Sequence, residues 1–274
     1  MKANPKHLIL DLLLALGGKP LAVRDAIHAA AIFDIGANSL RVTLARLTAQ
    51  GMIESAERGA YRLGPAATDL AGEVATWRTV EQRLRPWQGG YIAVHCGALG
   101  RSDRVALRRR ERALQMLGFR ELERGLHIRP DNLERDIDEL RRRLHTLGLD
   151  HAAAVFQAQG FDTQRDAAIH ALWNGKALTQ TYRELRDQLE AWLAPNTAAD
   201  AERDLAVAAC ESFALGGRAI RHIVFDPLLP EPFIDAAERH AFIAAVHRFD
   251  QAGRAIWGRF FDAIPSRTTL SSGD

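Results

Sequence analysis

The chain has 274 residues, room for two or three domains, and its 47% hydrophobic and 26% charged content is that of a folded globular protein. No apolar run reaches the length of a membrane span, the N-terminus lacks a signal-peptide core, and Cys96 and Cys210 are too few for a disulfide framework, so the cytoplasm is the expected compartment. A formal net charge of +2 names no partner, which must be read from local pattern.

Pro5 opens a helix with Leu8, Ile9, Leu12, Leu13 and Leu16 on one face. Gly17-Gly18-Lys19-Pro20 breaks it, and residues 21–31 form a second helix with Val23, Ala26, Ile27 and Ala30 inward. Phe33 to Ala37 makes a turn. The next helix, capped by Asn38 or Ser39, carries Leu40, Leu44 and Leu47 in one stripe and stops at Gly51. Two short strands with Arg58-Gly59 at the turn then run to Leu63. Three helices and a β-hairpin in about 65 residues make a winged helix-turn-helix, whose partner is double-stranded DNA. The face opposite the leucines bears Asn38, Val42, Ala45, Arg46 and Ala49, with Ser39 and Arg41 on its flanks. Small residues let a helix approach the groove floor, Asn and Arg read base edges, and Val42 suits a thymine methyl. Arg58 at the hairpin tip would reach phosphate or the minor groove. Residues 1–65 hold eight Lys/Arg against five acids, the right sign for phosphate.

Gly64-Pro65 ends this domain. Residues 66–89 read as a connecting helix, with Leu70, Val74, Trp77 and Leu84 on one side over residues 66–85. Residues 90–158 give a buried strand at Tyr91–Cys96 and a helix at 102–117 with Val105, Leu114 and Leu117 inward. A hairpin around Gly125, a helix at 131–147 and a last strand at 152–158 follow. That βαββαβ order is ferredoxin-like, with helices on one face of the sheet and the other face left for a further domain or subunit. Residues 159–266 form a helical domain. One stripe is Leu178, Tyr182, Leu185, Leu189 and Trp192; another helix bears Leu205, Ala209 and Ser212; a third has Phe242, Ala245, Val246 and Phe249. Asp226-Pro-Leu-Leu-Pro230 is a rigid connector, and 267–274 a flexible tail. The fold class is therefore α+β.

Catalytic chemistry finds no support. A nuclease built on the middle domain would need carboxylates at the end of its first strand, which reads His95-Cys96-Gly97-Ala98. His240 and His247 lack a metal-binding spacing, and no catalytic residues or cofactor are assigned. The runs Arg108-Arg109-Arg110 and Arg141-Arg142-Arg143 lie beside acids and read as solvated helix faces. Trp173 and Lys176 at a helix break, with Arg218 and Arg221 after Gly216-Gly217, offer cations and an aromatic that suit a phosphate-bearing, adenine-bearing effector.

Three segments carry a resemblance. They are Leu40-Arg-Val-Thr-Leu-Ala-Arg-Leu47 with Gly51 and Arg58-Gly-Ala-Tyr-Arg-Leu63, then Trp87-Gln-Gly-Gly-Tyr91, then Arg221-His-Ile-Val-Phe-Asp-Pro-Leu-Leu-Pro230. In that order and spacing the chain resembles the PaaX family of bacterial transcriptional repressors. The resemblance implies a winged helix, a middle domain like a CRISPR-associated ferredoxin-like fold and a helical C-terminal domain. It also implies repression of a catabolic operon relieved by an aryl- or acyl-CoA thioester of the phenylacetyl-CoA class. The continuation Phe233-Ile-Asp-Ala-Ala237 departs from a Trp-Pro-Gly-like run. The reading is thus a homodimeric DNA-binding repressor, with an enzyme acting on acyl-CoA or nucleic acid, or a ligand-independent DNA-binding protein, as the alternatives.

Overall fold

The computed structural model describes residues 4–67, 76–100, 102–133, 136–194 and 204–264. They form two compact units: Met1–Ala75 with Trp192–Arg218 and His247–Asp274, and Thr76–Ala191 with Ala219–Val246.

In the first unit, helices α1 (Pro5–Ala15), α2 (Val23–Ala31) and α3 (Ala37–Ala49) accompany strands β1 (Leu21–Ala22), β2 (Ile53–Glu57) and β3 (Ala60–Leu63). Pro5 starts α1, where its missing N–H costs nothing, and the Asn4 side chain accepts from the Lys6 amide. The strands pair antiparallel in the order β1-β3-β2, giving a winged helix-turn-helix. Its core joins Leu8, Ile9 and Leu13 of α1 to Ala29 and Ala30 of α2 and Leu40, Leu44 and Leu47 of α3. The inward side of α2 is alanine, which leaves volume for larger side chains from elsewhere. Phe213, Trp257 and Phe261, distant in sequence, pack against this core. The Phe33 ring meets Phe213 edge-on at 5.2 Å, and the Cys210 thiol donates to the Ile32 carbonyl at 3.1 Å.

In the second unit, β4 (Tyr91–His95), α4 (Arg104–Met116), β5 (Arg120–Glu123), β6 (Leu126–Pro130), α5 (Ile137–Leu147) and β7 (Ala154–Ala158) follow in the ferredoxin-like order. The sheet is antiparallel, β5-β6-β4-β7. Asp103 caps α4 by accepting from the Val105 and Ala106 amides, and Asp136 caps α5 through the Glu139 amide. Ile92 and Val94 on one sheet face join Ala113, Leu114, Leu140 and Leu144 in a continuous core. On the other face Ala93 and Ile128 are equally buried, and the Tyr91 hydroxyl donates at 2.7 Å to Asp166 on α6 (Thr163–His170). The same unit therefore covers the middle of the face that the sequence left for a further domain or subunit; Phe156 on β7 remains 43% exposed.

Three more helices complete the described chain: α7 (Gly175–Leu193), α8 (Leu205–Val224) and α9 (Ala236–Asp262). Both α8 and α9 contribute residues to both units. The connector after α8 is clamped by buried polar groups of its own unit. The Tyr182 hydroxyl donates to the Asp226 carboxylate at 2.6 Å, and the Leu228 amide donates to the other oxygen at 2.7 Å. Asn132 donates to the Leu228 carbonyl at 2.7 Å and Arg239 to the Leu229 carbonyl. The Arg129 guanidinium, 1% exposed, donates to the carbonyls of Leu117, Pro130 and Pro227 and to the Asn132 side chain. Burial pushes the Asp226 carboxyl and the Tyr182 hydroxyl above their usual ranges.

Several local expectations change. The span read as a connecting helix contains a 3-10 helix at Thr76–Arg83, with Trp77 buried and Leu84 bridging Leu133; Leu70 and Val74 lie outside the described residues. The helix expected at 131–147 starts at Ile137, because the stretch before it is used otherwise: Asp131 pairs with Arg85 and Asn132 binds the connector. Val105 is 76% exposed rather than inward. At 3.6 residues per turn it sits half a turn from Leu114, so the two cannot share a face. The tail at 267–274 lies outside the described residues.

Candidate nucleic-acid interface

Helix α3 begins two residues earlier than a cap at Asn38 would place it, and three earlier than a cap at Ser39. Gly36 is the N-cap and contributes no side-chain bond, which places Asn38 and Ser39 within the first turn rather than at the cap. Both are exposed and free of capping duty. The C-terminus follows the expected chemistry: Gly51 adopts φ +66, its amide donates to the Thr48 carbonyl at 2.9 Å, and the Met52 amide donates to the Leu47 carbonyl at 2.9 Å. This pair of bonds is a Schellman stop, and it turns the chain directly into β2.

The helix is two-faced. Leu40, Leu44 and Leu47 are 0–3% exposed, whereas Asn38, Ser39, Arg41, Val42, Ala45, Arg46 and Ala49 are all exposed. A 43% exposed Val42 amid polar neighbours is an apolar contact point held out to solvent. The hairpin turns at Arg58-Gly59, with Gly59 at φ +81 in the position that favours glycine, and Arg58 is exposed at its tip. Charge pairing separates the local arginines into two groups. Arg24 pairs with Asp25 at 3.1 Å and Arg62 pairs with Glu54 across the hairpin at 2.7 Å. Arg41, Arg46 and Arg58 form no ion pair with a described residue. Of the described arginines of this domain, those without an ion pair therefore lie on the outer side of α3 and on the wing.

Beyond the winged helix, Asp226-Pro-Leu-Leu-Pro230 is held by buried hydrogen bonds from Arg129, Asn132, Tyr182 and Arg239. Residues 173–259, which include this connector, match the family model of the PaaX-like protein C-terminal domain. Residues 173–259 thus form a PaaX-like C-terminal domain. The uncharacterized protein Rv0674 from Mycobacterium tuberculosis has a similar fold, with a TM-score of 0.61 and 22% sequence identity, and the likeness covers 92% of this chain and 97% of that one. No curated protein is detectably similar in sequence.

The residues suggested for an effector all fall within the PaaX-like domain, in unequal settings. Trp173 is 7% exposed; its indole N–H donates to the Gly118 carbonyl at 3.2 Å and its ring meets Phe233 edge-on. Next to it, a Cβ on Gly175 would fall 1.6 Å from the Phe233 carbonyl oxygen, so only glycine allows this approach. Lys176 is exposed in the first turn of α7, and Arg218 and Arg221 are exposed on α8. Arg218 belongs to the first unit and the other three to the second. Among the described residues no group of three or more His, Cys, Asp or Glu could hold a metal ion, and no helix is long and apolar enough to cross a membrane.

Sequence reasoning missed one residue. Arg110, in the middle of a run read as solvated, is 7% exposed, while Arg108, Arg109 and Arg112 are exposed. The signal was present: Leu107, Arg110, Leu114 and Leu117 recur at helical spacing on the inward stripe of α4.

Proposed function

We propose that this PaaX-like protein is a cytoplasmic transcriptional repressor that binds double-stranded operator DNA through α3 and the wing. The observation that carries the reading is the division of α3 into a fully buried leucine stripe and an exposed face where Arg41 and Arg46, without an ion pair among the described residues, lie beside Asn38, Ser39 and Val42. Such a face offers base-edge donors and a methyl contact, and Arg58 offers a phosphate contact from the wing. Binding as a homodimer aligns two such helices with successive turns of a palindrome, and residues 90–158 supply the dimer contact. The effector is an aryl- or acyl-CoA thioester such as phenylacetyl-CoA, as the family resemblance implies; Lys176 and Arg221 are exposed cations of the second unit suited to its phosphates.

The test is selection of bound duplexes from a random library, followed by titration of the selected site. A palindromic consensus and a particle near 60 kDa by light scattering, twice the 30.3 kDa chain, are expected. Phenylacetyl-CoA or a related thioester should release the DNA and the parent acid should not. An effector must prefer the DNA-incompatible state, and a coupling of about 1–3 kcal/mol corresponds to roughly 5- to 150-fold weaker DNA binding. No sequence enrichment at all would remove the reading.

A further inference from the structure

Behind the outer face of α4 lies a cavity of about 220 Å³, bounded by the end of β4, the loop after it and the β5–β6 hairpin. Leu99, Leu107, Leu114 and Cys96 give it an apolar wall, and Arg110 supplies a guanidinium from the inward side of α4. Arg110 as a residue is 7% exposed, yet its one hydrogen bond to a described residue is a 3.5 Å contact from Nη2 to the Gly100 carbonyl. No carboxylate of a described residue lies within ion-pair distance of it. Elsewhere in the same unit a buried arginine is treated differently: Arg129 donates to four acceptors in side chains and backbone. A guanidinium has five N–H donors, and burying its charge without partners is costly. Arg110 instead lines a space large enough to receive an acceptor for the donors that no described residue engages.

We infer that this cavity is a binding site for a small organic monocarboxylate, its carboxylate paired with Arg110 and its apolar body against Leu99, Leu107 and Leu114. The volume is below the ~300 Å³ at which drug-sized ligands begin, so the occupant is small. The charge balance selects a monoanion. Arg124 and His127 also line the space, but so do Glu111 and Glu121, and a dianionic phosphate would bring a second negative charge beside those carboxylates. The planar, two-oxygen carboxylate matches the guanidinium fork. This site is distinct from the exposed cations suggested for a CoA thioester and does not depend on the DNA reading.

Calorimetric titration of the full chain with benzoate and hexanoate, set against benzamide and hexanamide, tests the inference. At least one carboxylate should bind, with its amide at least tenfold weaker. Arg110→Gln should weaken carboxylate binding at least tenfold while circular dichroism shows the fold retained. Leu107→Trp keeps the arginine and fills the space from the partly exposed side of α4, and it should abolish binding. It decides the matter if Arg110→Gln fails to fold. Binding by neither acid, equal affinity for acid and amide, or unchanged binding in a folded Arg110→Gln or in Leu107→Trp would overturn the site.

Discussion

The two units use different means to hold their shape. The winged helix rests on an apolar core in which aliphatic stripes of α1 and α3 meet small alanines of α2 and borrowed aromatic rings. The PaaX-like connector at 226–230 is instead fixed by a mesh of buried donors and acceptors from Arg129, Asn132, Tyr182 and Arg239. An apolar core tolerates shape changes of similar volume and leaves polar side chains free for work outside. A buried polar mesh tolerates little, because each group removed strands its partner. The winged helix accordingly keeps Arg41, Arg46 and Arg58 at the surface without an ion pair to a described residue, while the connector consumes its polar partners internally.

The sharpest break of this contrast is inside the winged helix. Leu40 is fully buried in α3, and Leu40→Ala should destabilise the unit by about 2–5 kcal/mol, the usual cost of a core cavity. Urea unfolding followed by fluorescence measures it; a loss under about 1 kcal/mol would show that the site collapses and that the core is not close-packed. The matching break in the connector is Asp226→Ala. It orphans the Tyr182 hydroxyl and the Leu228 amide, at about 1–3 kcal/mol for each group left unsatisfied. Asp226→Asn, which keeps an acceptor, should recover part of that loss; equal losses in the two variants would argue against the mesh.

The surface of α3 should behave in the opposite way. Arg46→Ala is expected to leave unfolding within about 0.5 kcal/mol of the parent, as for other exposed positions. It should weaken binding to the selected DNA site by about 1–3 kcal/mol if Arg46 makes a bidentate base contact. Arg58→Ala should weaken binding more evenly across sequences and lower the slope of affinity against salt by about one unit, as loss of a phosphate contact does. Anisotropy titrations at several salt concentrations separate the two; identical behaviour of both variants and the parent would detach α3 and the wing from DNA.

The smallest effect is a pH dependence within the connector's surroundings. His222 packs edge-on to Tyr182 and Phe242 and its Nε2 is buried without a hydrogen-bond partner. Burial lowers its pKa and Asp226 pulls the other way. The unfolded chain then binds more protons than the folded one, so this contribution is present above the ordinary histidine value and is lost as pH falls through the lowered folded one. Asp226 has the opposite sign. Its carboxyl is raised, chiefly by burial and against the bonds from Tyr182 and Leu228, so its contribution fades as pH rises. His222→Gln should therefore flatten the decline of stability between neutral and mildly acid pH, measured by thermal unfolding across that range. A steeper decline in the variant would reverse the assignment.

The sequence by itself determined the periodic and punctuated elements. The leucine stripe of α3, its glycine stop, the Arg58-Gly59 turn and the βαββαβ order are each written in local spacing, because helix and strand periods and glycine's access to positive φ are properties of a few adjacent residues. Tertiary structure alone decided three things. It brought Phe213, Trp257 and Phe261 against the winged-helix core, since nothing local says which distant ring will fill the space beside an alanine face. It withdrew Asp131 and Asn132 from the helix their neighbours suggested, because a partner far along the chain, Arg85 or the Leu228 carbonyl, competes for them. It also buried Arg110 among arginines that stay in water: the spacing marked its side of α4, but only the packed sheet end turned that side into a cavity.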